Sequence, residues 1–175
     1  MIKVWGKFEM KKQAVILVAL MGVAIPMAQA ATPPKLNAFA EGERLVYTQL
    51  VESYRHNRLA EVKSERTLLE KNYPESIHLD NAYYMTGLLE FQNMRYGEAL
   101  KNFDVVRNRF AKSNKRPAAL LATAATYQKL NLSPLAVRVY EGIMKEYPGS
   151  PESQRAWMQL QVEKKMLKSK AKAKG

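Results

Sequence analysis

Apolar side chains recur at intervals of three and four residues through most of the chain. Ala99, Phe103, Val106 and Phe110 show the spacing, which places one apolar face along an α-helix. After residue 30 no segment alternates apolar and polar residues as a half-buried strand does. The pattern predicts an all-α fold, with helices near 36–56, 58–72, 78–93, 95–111, 116–130, 134–147 and 151–167.

Residues typical of helix ends support these boundaries. Ser133 precedes Pro134 and Ser150 precedes Pro151, so each serine is expected to cap a helix that has proline at its first position. Asn131 is expected to end the preceding helix.

One sequence unit repeats along the chain. The segment 71–76, Lys-Asn-Tyr-Pro-Glu-Ser, recurs at 145–150 as Lys-Glu-Tyr-Pro-Gly-Ser, and Phe-Ala-Lys-Ser at 110–113 lies halfway between. The same period of 37 residues relates Phe103 to Tyr140 and Val106 to Ile143. A period of this length, filled with helical patterns, predicts a stack of helix pairs.

The middle unit resembles the tetratricopeptide repeat. Tyr83 stands at the large first position, Gly87 at the glycine, Tyr96 at the turn aromatic, Ala99 at the small position and Phe103 at the aromatic of the second helix. The unit departs from the family pattern at Thr86, before the glycine, and at Ala111, where the family has proline.

The neighbouring units carry parts of the same pattern. The third has Leu120, Ala124, Tyr127, Ala136, Tyr140 and Pro148; the first keeps Leu69 and Pro74 but has Val62 and Arg66 at the small and aromatic positions. Trp157 begins a fourth, incomplete unit. The resemblance implies an α-solenoid over residues 36–167, with about three tetratricopeptide-like helical hairpins and a C-terminal capping helix.

The period and the closing Tyr-Pro-x-Ser segments are similar to a periplasmic subgroup of the family. It includes the Tol-Pal-associated repeat protein and the repeat lipoprotein of the outer-membrane β-barrel assembly machine. This chain has no cysteine to carry a lipid. The resemblance implies a non-catalytic scaffold or adaptor that binds an envelope protein or a peptide segment of one.

In this family the first helix of each pair lines a concave groove that holds the ligand. Helical stripes of aromatic residues also form cores, so each position has a structural alternative. The resemblance and the helical register together give this candidate groove set: Arg44, Tyr47, Tyr54, Arg55, Tyr84, Leu88, Phe91, Leu121, Gln128, Lys129 and Arg155.

The first thirty residues have the pattern of a cleavable signal peptide. A basic start is followed by the apolar run 14–25 and by Ala-Gln-Ala at 28–30, which predicts cleavage between Ala30 and Ala31. The apolar run is shorter than the roughly 20 residues of a membrane-spanning helix. A short linker, 31–35, would follow in a periplasmic protein; a retained inner-membrane anchor and secretion are the alternatives.

Composition limits the remaining possibilities. The 175 residues include no cysteine, which excludes disulfides and thiolate chemistry. Most of the net charge of +12 lies at the two ends of the chain, so its body is only mildly basic. Because the predicted signal peptide would also export the protein away from nucleic acid, we expect no nucleic-acid partner. Residues 168–175 are predicted to be a lysine-rich disordered tail, and their alternative role is attraction to an anionic membrane surface.

The sequence shows no pattern typical of a catalytic site. Only two histidines are present, His56 and His78, and they lie on different predicted helices. No nucleophile elbow, metalloprotease helix or phosphate-binding glycine loop appears after residue 30. We therefore expect no enzymatic activity, no metal and no cofactor, and we expect both histidines at the surface.

Overall fold

The part of the chain that the structure describes, residues 35–172, is entirely helical. The computed structural model divides the chain into units 1–34 and 35–175, and the predicted signal peptide, with its cleavage site, lies outside the described residues. The all-α prediction is confirmed for 35–172. The helices are α1 (Lys35–Arg55), α2 (Leu59–Asn72), α3 (Leu79–Gln92), α4 (Tyr96–Asn108), α5 (Arg116–Lys129), α6 (Ser133–Glu146) and α7 (Pro151–Lys172).

The two serines expected to cap helices differ in their roles. The Ser150 hydroxyl accepts a hydrogen bond from the Ser153 backbone N–H at 3.0 Å, as an N-cap does. The prediction for Ser133 was wrong: α6 already includes this residue, and Leu132 occupies the capping position without a side-chain bond. The proline at position 134 fits equally well at the second helical position, so the serine–proline pair did not fix the start.

The last helix is longer than the sequence pattern predicts. α7 continues to Lys172, so the first five residues of the predicted disordered tail are helical. Their side chains are exposed. Lysine and alanine favour helix and no proline or glycine interrupts them before Gly175, which explains the extension without a packing partner. None of the helices within 35–172 combines the length and the apolar character needed to cross a bilayer.

Short connections make the chain reverse at each step. Consecutive helices pack against each other throughout 35–172, and α1, α3, α5 and α7 also contact one another in that order. Three residues join α1 to α2, α3 to α4 and α5 to α6, whereas the connections between these pairs are longer. Packed neighbours with such short loops must run antiparallel.

The interior consists of three apolar clusters, each built from one helix pair and the first helix of the next. Leu50, Val62 and Leu89 represent the cluster of α1, α2 and α3. Phe103 is completely buried in the cluster of α3, α4 and α5, and Tyr140 is almost completely buried in that of α5, α6 and α7. Because all three lie within 35–172, this unit has a core of its own.

The 37-residue period is present in the backbone itself. Asn57, Met94 and Asn131 have φ angles of 54°, 59° and 58°, and successive members of this series are 37 residues apart. At each site the next residue donates its N–H to a carbonyl five residues back, as Arg95 does to Glu90 at 2.8 Å. This is the Schellman arrangement that ends a helix. Asn131 therefore ends α5 as expected.

The connections between pairs repeat as well. Ser76, Ser113 and Ser150 each donate their backbone N–H to the carbonyl of the aromatic residue three positions earlier. Each hydroxyl also accepts a backbone N–H at the start of the following helix. These bonds fix the angle at which each new pair begins.

Candidate functional site

A cleft of about 230 Å³ lies between α3, α5 and α7, each of which is the first helix of its repeat unit. It is mostly apolar, with charged groups only at its α7 wall. Five residues of the predicted groove set lie together here. The lining residues are Tyr84, Leu88, Phe91, Ala118, Leu121, Ala122, Ala125, Glu152 and Arg155.

The aromatic residues of the cleft pack against aromatic residues of α4 on the side away from the opening. The ring centroids of Tyr84 and the buried Phe103 are 6.2 Å apart. Those of Phe91 and Tyr96, which meet edge to face, are 5.6 Å apart. Both rings are therefore part of the packing between α3 and α4 on one side and of the cleft wall on the other. Aromatic pairs of this geometry restrain the rings without closing the open side.

Small residues on α5 make the space. Ala118, Ala122 and Ala125 are four and three residues apart, so they share one helix face, and all three line the cleft. Ala118 and Ala122 were not predicted as groove residues. The signal was present in the sequence: a stripe of alanine at helical spacing, opposite aromatic residues on the preceding first helix, leaves an opening.

The α7 wall adds the polar character. Glu152 and Arg155 both line the cleft. Burial raises the pKa of the Tyr84 hydroxyl, the nearby Tyr54 and Glu152 raise it further, and Arg155 opposes them. The cleft can thus hold an apolar side chain while a hydroxyl, a carboxylate and a guanidinium meet polar groups beside it. Glu152 was also absent from the predicted set.

The other six predicted residues do not line this cleft. Arg44 is exposed and pairs with Glu41 at 2.7 Å, and Arg55 is exposed and lies 3.6 Å from Glu52. Lys129 is exposed at the end of α5.

The two predicted tyrosines of α1 also lie outside the cleft lining. Tyr47 stacks on His78 with 4.0 Å between ring centroids and accepts a hydrogen bond from Asn81, in a separate polar depression. Tyr54 is half-buried, and burial raises its pKa. Both rings pack against the cluster of α1, α2 and α3, which occupies the faces that counting along the helix assigned to the groove.

Gln128 has an interior role instead of the predicted groove role. Its amide nitrogen donates to Glu163 at 2.8 Å, and its carbonyl accepts from the Tyr140 hydroxyl at 2.9 Å. Burial, followed by the Glu163 carboxylate, raises the pKa of Tyr140 to about 12. The amide therefore joins α5 to α6 and α7. The sequence alone did not show this, because Glu163 lies 35 residues away.

The histidines do not form a common site. His56 is exposed beside Glu52, as expected for a surface histidine, whereas His78 is half-buried against Tyr47. Within residues 35–172, no group of three or more histidine, aspartate or glutamate side chains is arranged to hold a metal ion.

No protein-family model matches the sequence, and a search of curated proteins finds no similar chain.

Proposed function

We propose that this chain is a non-catalytic scaffold or adaptor of the bacterial periplasm, built from tetratricopeptide-like helical hairpins. It binds a segment of another envelope protein in the cleft formed by α3, α5 and α7. Processes of the Tol-Pal, outer-membrane assembly or export type are those in which such an adaptor acts.

The cleft is the observation that carries the proposal. Its walls come from three helices that are not consecutive in sequence, and five of its residues belong to the set that the resemblance had indicated. The apolar surface extends along α7, where Met158 and Val162 are each about half exposed at 53% and 51%. They stand 37 residues after Leu121 and Ala125, so the recurring face reaches the end of the stack.

The chemistry of the cleft suits an extended or helical peptide with an apolar anchor. Tyr84 and Phe91 already pack against α4, so their side chains lose little rotamer freedom when a ligand binds. More of the contact energy therefore appears as affinity. Arg155 at the wall favours an acidic group next to that anchor. Periplasmic export is supported by the pattern of residues 1–30.

The proposal is tested by affinity capture from solubilised envelope extract, using residues 31–175 as bait. We expect a discrete partner that is lost with Tyr84→Ala/Phe91→Ala. Ala125→Glu, which places a charge in the apolar cleft without removing a packed ring, should abolish capture too. A matched control, Ile77→Ala/Leu132→Ala, removes exposed apolar side chains outside the cleft and should retain the partner. Capture that survives both cleft variants contradicts the proposal.

A second function rests on the end of α7. Lys165, Lys168, Lys170 and Lys172 are all exposed, and lysines beside an anionic bilayer contribute about 1 kcal/mol each. The alternative is a membrane-surface or cell-wall-associated structural protein that acts through these side chains. Deleting residues 168–175 would remove envelope association in this case but leave cleft-dependent capture intact. Raising the salt concentration should have the same effect as the deletion.

A further inference from the structure

Trp157 is exposed, although the residues at the same position of earlier repeats are packed in apolar clusters. It follows Leu120 by 37 residues and Tyr83 by 74. Tyr83 is only 7% exposed and packs in the cluster that contains Phe103 of α4. Leu120 packs against the cluster that contains Tyr140 of α6. Trp157 is 53% exposed, and no helix following α7 within the described residues covers it.

The neighbouring positions define the rest of this face. Trp157, Gln161, Lys164 and Lys168 follow one another at four, three and four residues, so they share one side of α7. At multiples of 37 residues before Gln161, the chain has Ala124, Gly87 and Leu50. Of these, Gly87 closely approaches Phe103. Because Leu50 is completely buried, a long side chain at this position is compatible with a packed second helix. We refer to these four α7 residues as the end face.

The charge of the end face selects the kind of helix that would pack there. Lys168 lies on it, Lys165 and Lys172 flank it, and Lys164 also belongs to it while pairing with Glu141 of α6 at 2.9 Å. The acidic residues of α7 are Glu152 and Glu163; the first lines the cleft and the second is buried. The side of α7 that carries Trp157 is therefore cationic with one large apolar anchor.

We propose that the end face docks an acidic amphipathic helix of a partner protein, antiparallel to α7, in the way that α4 packs on α3 and α6 on α5. The contact would be independent of the cleft, because Trp157, its anchor, points about 100° away from Met158 around the helix. This inference rests on the structural recurrence of the 37-residue unit and does not require the proposed function.

Trp157 is also the natural reporter of this docking. The chain has two tryptophans, Trp5 and Trp157, so residues 31–175 retain only the second. An exposed indole emits at longer wavelength than one covered by an apolar surface. Docking should therefore shift the emission to shorter wavelength in a saturable way.

The probe is a synthetic peptide with the sequence of α2, residues 59–72, carrying Lys63→Glu and Lys71→Glu. We chose α2 because it is the second helix of its pair and packs against α1. In that pair α1 carries a large residue, Leu50, at the position equivalent to Gln161. The unmodified peptide is the matched control for charge. We expect the acidic peptide to bind about tenfold more tightly at low salt, and the difference to shrink as salt is added.

Two protein variants with the same change in charge locate the binding. Gln161→Glu/Lys168→Glu alters the end face. Gln159→Glu/Lys170→Glu alters exposed positions on the opposite side of the helix, about 160–180° around its axis from the first two. We expect the first variant to lose at least about tenfold in affinity for the acidic peptide, and the second to match the unmodified protein.

Several results would overturn the inference. One is an unchanged emission spectrum at saturating peptide; another is equal affinity of the two protein variants. A blue shift that appears on concentrating the protein alone, with a doubled mass by light scattering, would assign the end face to a second copy. A shift produced by anionic phospholipid vesicles but not by the peptide would assign it to a membrane. Loss of cleft-dependent capture leaves this inference intact.

Discussion

Replacing Gly87 with alanine tests how closely the two helices of a pair approach each other. A Cβ atom at Gly87 would lie 2.5, 2.8 and 3.1 Å from three ring atoms of Phe103. Carbon atoms in contact are normally about 3.5–4.0 Å apart, so the ring would have to retreat by about 1 Å. Phe103 is completely buried, so any such movement would disturb its packed neighbours.

Two opposing effects set the magnitude. Alanine is favoured over glycine inside a helix by about 1 kcal/mol, whereas overpacking a buried ring costs about 1–3 kcal/mol. The net change at Gly87 is therefore a destabilisation of up to about 2 kcal/mol. Gly142 is exposed in α6, and a Cβ atom there would meet nothing within 4 Å, so Gly142→Ala should stabilise the protein by about 1 kcal/mol.

The measurement is urea unfolding of residues 31–175 followed by circular dichroism, for both variants. The helix-propensity gain is common to them, so the difference between their unfolding free energies isolates the contact with Phe103. A double-mutant cycle with Phe103→Leu should recover most of that difference. If Gly87→Ala is as stabilising as Gly142→Ala, the close approach of α3 and α4 is refuted.

Three further predictions concern single residues, each measured by the same unfolding assay. Met94→Gly should stabilise by about 1 kcal/mol, because Met94 is 76% exposed and has a positive φ of 59°; a loss of stability would contradict this. Burial alone would raise the pKa of Glu70, but hydrogen bonds from Tyr83 and Arg109 outweigh it and lower that pKa. Its stabilisation is therefore present above the unfolded-state pKa and lost as pH falls through the lowered value. Glu70→Gln should cost up to about 1 kcal/mol near neutral pH, with a gap to the unmodified protein that closes on acidification; a gap independent of pH would be inconsistent with that linkage. Glu163 is buried with one carboxylate oxygen lacking a hydrogen-bond partner, so Glu163→Gln should stabilise by about 1 kcal/mol; destabilisation would show that the charge is needed there.

Local patterns were sufficient to predict the helices. The spacing of Ala99, Phe103 and Val106 determines a helical apolar face on its own, and all three residues prove to be buried. The end of α5 at Asn131 was equally local. Ser133 shows the limit: serine and proline fit two adjacent registers at a helix start, and the start differs from the prediction by one residue.

The candidate site was predictable only where the recurring register determined it. Tyr84, Leu88 and Phe91 lie on the open face of α3 because α4 and the core occupy its other faces. Tyr47 has a comparable register in α1, yet His78 stacks on it. Gln128 was predicted in the groove but has an interior role, because a buried acceptor on a distant helix determines where its amide lies. Side-chain partners between distant segments are not encoded in helical spacing.

Photo-crosslinking in intact bacteria tests the cleft most directly. A photoreactive phenylalanine derivative is placed at Leu121, inside the cleft, or at Ile77, which is 83% exposed and outside it. We expect Leu121 to give a discrete adduct with an envelope protein, and Ala125→Glu to abolish that adduct. No adduct from Leu121, or the same set of adducts from Ile77, would contradict binding in the cleft.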